Sequence, residues 1–337
     1  MATFFSEVFP PKPTFTEKDI PDQHGRVVIV TGGASGCGFE VAKAMYHLNA
    51  RVYIAGRNKA NGDKAIEEIK NSEPIAEQKV KGGKGELFFL QLDLGDLATI
   101  KTSAEEFRAK ESRLDVVWHN AGVMIPPDNS YTTQGYELQY GTNALGPFVF
   151  QHFLTPLVVK TAALAGVKPN ATRIIWVSAA AHRGAPKPDG VNWDDVNMKS
   201  NSGIRARWTK YAQSKAMNVM QAHEFARRYA ADGIVSLSLH PGVLNTNLQR
   251  SAPSILKIVA EKIMLKPARF GGLTELYAGL APDVDTSLID NDGRNGAYIH
   301  PWGRFGDADC QIMDGLKKRG TGERLWKMME DECKEYM

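Results

Sequence analysis

Arg26-Val27-Val28-Ile29-Val30-Thr31-Gly32-Gly33-Ala34-Ser35-Gly36-Cys37-Gly38 begins as an apolar β-branched run, passes through a glycine turn, and leads into Phe39 to Leu48, whose apolar spacing is helical. The order strand, glycine turn, helix decides the fold class. Glycines in such a turn let the backbone reverse tightly and approach a pyrophosphate, whose charge the amide dipoles of the helix N-terminus meet. Gly32, Ser35, Gly36 and Gly38 are the candidate phosphate-facing positions, in the spacing Gly-x-x-x-Gly-x-Gly rather than Gly-x-Gly-x-x-Gly.

Outward from that turn, strand and helix signals alternate. Arg51 to Gly56 reads as a second strand, Lys59 to Ser72 as a helix with Ala65, Ile66 and Ile69 inward, and Leu87 to Leu92 as a third strand. Charged, glycine-rich Glu73 to Gly85 reads as a surface loop. Asp96 to Lys110 is helical, and Leu114 to His119, Arg173 to Val177 and Val235 to His240 are further strands. Short strands joined by crossover helices predict an α/β, Rossmann-type doubly wound parallel sheet with ligands at the C-terminal strand ends. The expected organisation is one domain over 25–300, an N-terminal extension over 1–24 and a C-terminal helical extension over 301–337.

Tyr211-Ala212-Gln213-Ser214-Lys215 sets a phenol and an ammonium four residues apart on one helical face. A free tyrosine titrates near pH ~10, and a neighbouring cation favours the phenolate, bringing the group closer to a useful acid–base range.

The glycine turn, Asn120-Ala121-Gly122 after a strand, Ser178 after Val177, the Tyr211/Lys215 pair and Pro241-Gly242 after His240 occur in an order and spacing that resemble the short-chain dehydrogenase/reductase family. Ala55-Gly56-Arg57-Asn58 and Pro301-Trp302-Gly303-Arg304 are most similar to its retinol-dehydrogenase-like branch, which includes soluble fungal reductases. The resemblance implies Asn143, Ser178, Tyr211 and Lys215 as the catalytic set. It has Asn143 holding a water that links Lys215 to solvent. It also implies that Asp93 meets the adenine edge with Leu94 beside it, that Asn120, Ala121 and Gly122 line the cofactor with Pro241 and Gly242, and that Leu244 and Thr246 hold the carboxamide.

Cofactor choice follows from the end of the second strand. A carboxylate there would take the ribose hydroxyls of NAD and repel a 2′-phosphate, whereas the sequence offers Ala55, Gly56 and Arg57 and no acid until Asp63. NADP(H) is expected, with Arg57 on the phosphate and Asn58 assisting.

The 41 basic and 38 acidic residues leave a net charge of +3, which gives no case for a nucleic-acid partner. Cys37, Cys310 and Cys333 are odd in number and lack metal-ligand spacing, which suits a reducing, cytoplasmic setting. His119, His182 and His240 sit beside strand ends and are expected to be structural, with no metal; His182 lies nearest Ser178 in sequence. No apolar run reaches the ~18 residues of a membrane span, and no signal peptide or transmembrane anchor is expected. Pro10, Pro11, Pro13 and Pro21 break the N-terminal arm, which either packs Phe4, Phe5, Phe9 or Phe15 on the domain or stays a mobile tail.

The resemblance implies that 247–267 covers the substrate, and apolar residues at helical spacing from Ile255 to Leu265 favour a lipophilic carbonyl or alcohol there; a core helix, or a surface helix meeting a membrane or a partner, are the competing readings. Gly184 to Trp208, with Trp193 and Trp208, either walls the pocket or covers the domain edge. The expected activity is reduction of a ketone or aldehyde. The alternatives are a non-catalytic cofactor-binding sensor and cyclisation or isomerisation of a natural product. Oligomeric state is left open, a homodimer included.

Overall fold

The computed structural model describes residues 6–7, 9–74, 80, 84–164, 166–244 and 266–337. Its centre is an eight-stranded sheet in the order β3-β2-β1-β4-β5-β6-β7-β8. The strands are β1 Val27–Thr31, β2 Arg51–Gly56, β3 Glu86–Gln91, β4 Val116–His119, β5 Thr172–Val177, β6 Ile234–Leu239, β7 Tyr298–His300 and β8 Arg304–Gly306. All neighbours pair in parallel except β7 with β8, where Ile299 lies opposite Phe305.

A sheet covered on both faces needs apolar residues on both sides of each strand. In β1, Val27 and Ile29 enter one core while Val28 and Val30 enter the other. Helices α1 Gly36–His47, α2 Lys59–Lys70 and α6 Ala268–Leu280 cover the second face. Helices α3 Leu97–Lys110, α4 Gly146–Ala162, α5 Ile204–Tyr229, α7 Cys310–Arg319 and α8 Thr321–Cys333 cover the first. The strand order reverses between β1 and β4, which opens a crevice at their C-terminal ends.

The described residues outside 25–300 are built into this body. Residues 301–337 supply the antiparallel edge strand β8 as well as helices, and Met329 and Cys333 are fully buried in the first core. In the N-terminal arm, Glu17 takes both Nε and Nη2 of Arg269 at 3.0 and 2.9 Å, and Phe15 meets the Tyr277 ring edge-on. Phe9 is half exposed, while Phe4 and Phe5 lie outside the described residues. Most of the loop expected over Glu73 to Gly85 and nearly all of the expected cover, residues 247–265, also lie outside them. No helix among the described residues is long and apolar enough to cross a membrane.

Candidate active site

The crevice forms a cleft of about 660 Å³. Its floor is the glycine turn. Asn120 Nδ2 donates to the Thr31 carbonyl at 2.8 Å and the Ala121 amide donates to Thr31 Oγ1 at 3.0 Å, so the ends of β1 and β4 are locked together. Gly32 and Gly36 have φ of +68° and +60°, where only glycine is unstrained. A Cβ on Gly38 would stand 2.5 Å from Asn120 Nδ2 and 2.9 Å from the Gly32 carbonyl oxygen. Gly38 therefore lets the start of α1 pack against the turn and Asn120 more closely than any other residue could. Ser35 is the N-cap of α1 and makes no side-chain cap bond, so the helix amides face the cleft uncapped. These features fit a pyrophosphate.

At one end of the cleft lie Ala55, Gly56 and Arg57. The Arg57 guanidinium is exposed and makes no hydrogen bond or ion pair among the described residues. Asn58, expected beside it, stands off the lining, because its Oδ1 accepts from the Asn61 amide at 3.0 Å and caps α2. Asp93 likewise turns Oδ1 to the Gly95 amide at 2.8 Å, while Leu92 and Leu94 line the cleft.

At the other end Ser178, Tyr211 and Lys215 converge, all lining the cleft and nearly buried. Ser178 Oγ donates to the Lys215 carbonyl at 2.7 Å, and Lys215 Nζ donates to the Val177 carbonyl at 2.8 Å. The ammonium is 6.0 Å from the Tyr211 ring centre. The expected lowering of the phenol is accordingly not what this arrangement gives: burial pushes the Tyr211 hydroxyl above its ordinary range. Gly122 closes the group, since a Cβ there would be 3.5 Å from Lys215 Nζ and 3.1 Å from Asn143 Oδ1. Pro241, Gly242 and Leu244 form the facing wall; Thr246 lies outside the described residues.

Asn143 stands beside Gly122 at the Lys215 end of the cleft. Its side chain is spent on Val123, accepting the amide at 2.7 Å and donating to the carbonyl at 2.9 Å, with a further bond to Ser214 Oγ. It sits in a π-helical turn, Gly141–Leu145. The shifted backbone bonding frees carbonyls that α5 satisfies: Asn218 donates to Asn143 O at 2.8 Å and Gln221 to Ala144 O at 3.0 Å. Asn218 and Gln221 gave no local signal in the sequence.

His119 and His182 are buried and make hydrogen bonds within the fold. His119 donates to Gln151 and stacks on Trp176, with burial holding it down to about 4. Burial holds His182 down to about 3; its Nε2 accepts the Asp309 amide, so Nδ1 carries the proton and donates to Ala179 O at 2.7 Å. The long segment before Tyr211 does both things envisaged for it. Trp208 lines the cleft, edge-on to Tyr211 at 6.3 Å, whereas Trp193 lies against Arg324 at the domain edge.

Glu275 was not foreseen. It is fully buried near Cys37, with neither carboxylate oxygen hydrogen-bonded among the described residues. Burial pushes it up to about 8, opposed by the charge of Lys215, and pushes Lys215 down to about 8, opposed by Glu275. An acid that ionises near 4.5 when unfolded and near 8 when folded makes stability fall as pH rises through that window. Glu275→Gln carries no such proton. Its Tm should gain on the parent by a few °C, on the order expected for ~1–2 kcal/mol, between pH 5 and 8; parallel curves in a thermal-shift series would contradict this.

The short chain dehydrogenase family profile matches residues 26–186. The short-chain dehydrogenase/reductase pkfC of Emericella nidulans is 40% identical over 327 residues, covering 96% of this chain and 98% of that protein. The chain belongs to the short-chain dehydrogenase/reductase family. A second family member, from Phomopsis amygdali, is 38% identical over 99% of this chain and 97% of its own. A crystal structure of an uncharacterised protein from Mycobacterium paratuberculosis superposes with a TM-score of 0.67 at 26% identity, covering 95% of this chain and 97% of that one. The family is one of NAD(P)-dependent oxidoreductases, and the glycine cradle described above has the shape that such a dinucleotide needs.

Proposed function

We propose that this short-chain dehydrogenase/reductase uses NADP(H) to reduce a lipophilic ketone or aldehyde, or to oxidise the corresponding alcohol. The observation that carries the reading is the polarity of the cleft: Ser178, Tyr211 and Lys215 at one end, and Arg57 without a lining carboxylate at the other. The nicotinamide, when bound, supplies or accepts the hydride. Gly32, Ser35, Gly36 and Gly38 would face the pyrophosphate, with Asn120, Ala121, Gly122, Pro241, Gly242 and Leu244 along the flanks.

Tyr211 gives its phenolic proton to the carbonyl oxygen or takes one from an alcohol. Its raised value keeps it protonated in this state, and moving Lys215 Nζ from the Val177 carbonyl towards the phenol would ease release of that proton. Ser178 stabilises the developing oxyanion, which requires its hydroxyl to rotate away from the Lys215 carbonyl. Asn143 acts through position, holding Val123 and the cleft wall. The lipophilic assignment is supported by Met124, Pro126, Leu138, Val243 and Trp208, and by Arg57 and Lys215 being the only charged side chains among the described lining residues. NADPH oxidation against a panel of ketones, aldehydes and quinones tests the reading; no turnover with any of them would favour a cofactor-binding protein without reductase activity.

Arg57 decides the cofactor. Removing charge-assisted hydrogen bonds worth about 1.5–3 kcal/mol with Arg57→Ala should lower NADPH affinity roughly ten- to a hundredfold and leave NADH affinity nearly unchanged. Calorimetric titration of both dinucleotides checks this. Equal losses would reduce Arg57 to a loop support, and a parent that prefers NADH would overturn the NADP assignment.

A further inference from the structure

Glu7 lies only six residues from Met1, yet it is 1% exposed. A carboxylate is buried to that degree only when other groups hold it. Arg183, from the turn after Ser178, donates Nη2 to Glu7 Oε1. His300 Nδ1, at the end of β7, stands 3.2 Å from Oε1, and His240 Nε2, just past β6, 3.4 Å from Oε2. Arg304 adds a bond from Nη2 to the neighbouring Ser6 carbonyl at 2.8 Å. One side chain of the arm thus gathers the segments that follow β5, β6 and β7.

The ligand-type atoms of Glu7, His240 and His300 lie within 4.8 Å of one another, a spacing that one cation could bridge. Two features point away from a metal. The Arg183 guanidinium already sits on Glu7. His240 Nδ1 accepts the Gly242 amide at 3.1 Å, so Nε2 carries the proton and turns an N–H, not a lone pair, toward the cluster.

The imidazole of His240 therefore lies between the arm and the wall of the cleft: Glu7 Oε2 stands 3.4 Å from one nitrogen, long of a hydrogen bond in this state, and the Gly242 amide donates to the other. Gly242 has φ +98° and is pressed against Trp302, whose ring a Cβ at that position would meet at 2.6 Å. Trp302 follows His300 by two residues, so His240 and His300, both beside Glu7, flank the Gly242–Trp302 contact from both strands. That contact lies just past the end of β6, and the neighbouring end of β5 leads into Ser178. Arg57, at the far end, has no part in it.

We propose that Glu7 is a positioning residue, a clamp carried on the N-terminal arm that fixes the His240–Gly242 backbone and so shapes the site for the nicotinamide half of the cofactor. The proposal rests on the reading of the cleft as a dinucleotide site.

The test titrates NADPH, NADH and ADP-ribose, which lacks the nicotinamide, into the full-length parent and Glu7→Gln. For whichever dinucleotide the parent binds, Glu7→Gln should lose about tenfold or more in affinity, while ADP-ribose binding stays within about twofold. If Glu7→Gln does not fold, His240→Gln cuts only the branch to Gly242 and should show the same split. Unchanged dinucleotide affinity, or equal losses for dinucleotide and ADP-ribose, would overturn the clamp while leaving the dinucleotide reading intact. A parent that binds none of the three ligands would overturn both.

Discussion

Tyr211→Phe should lower kcat for carbonyl reduction by about 10³-fold or more, within the range that a positioned general acid contributes, while dinucleotide affinity stays within a few-fold of the parent. The substitution removes one oxygen from a nearly buried side chain and leaves the ring that meets Trp208. Packing is kept and the only phenolic proton among the described lining residues is lost. Lys215→Ala should be at least as damaging to turnover, because it also vacates the bond to the Val177 carbonyl. Single-turnover kinetics separate hydride transfer from binding. A Tyr211→Phe protein that turns over within a few-fold of the parent would remove Tyr211 from the chemistry.

Ser178→Ala should lower kcat roughly 10²-fold, the size expected for one lost oxyanion donor, with KM changing much less. The hydroxyl is buried and in the resting arrangement donates to the Lys215 carbonyl. Alanine leaves that carbonyl one bond short, a ground-state loss that should appear as a modest drop in Tm. The diagnostic is the split between kcat and KM, since a serine that serves only the strand end would move Tm and leave kcat alone. Full kcat in a normally folded variant would assign Ser178 to structure.

The parts of the molecule legible in the sequence are those fixed by short-range rules. The β1 glycine turn could be read because tight backbone approach demands glycine at set spacings, and the Tyr211/Lys215 pair because helical periodicity fixes which residues share a face. Asn58 and Asp93 were harder. Both are short polar side chains at the start of an element, where capping and Asx-type bonds compete with any ligand, and each gives its Oδ1 to such a local bond. The residues that sequence reasoning missed act across long separations. Glu7 meets His240 and His300 more than two hundred residues away, and Glu275 influences Lys215 from a helix on the opposite face of the sheet. Asn218 and Gln221 read as ordinary polar positions of a long helix until the π turn opposite them frees two carbonyls. The charge shift expected for Tyr211 was inferred from spacing alone, and spacing does not say where the lysine's hydrogen bond points.

The central claim is that the cleft passes a hydride between a nicotinamide and a carbonyl carbon, with Tyr211 handling the proton. It is tested most directly by supplying NADPH deuterated at the transferable C4 position together with a ketone from the active panel and analysing the product alcohol by mass spectrometry. The account predicts one deuterium on the carbinol carbon with the parent protein, and no product above background with Tyr211→Phe. Product alcohol formed without deuterium, or formed equally well by Tyr211→Phe, would contradict it.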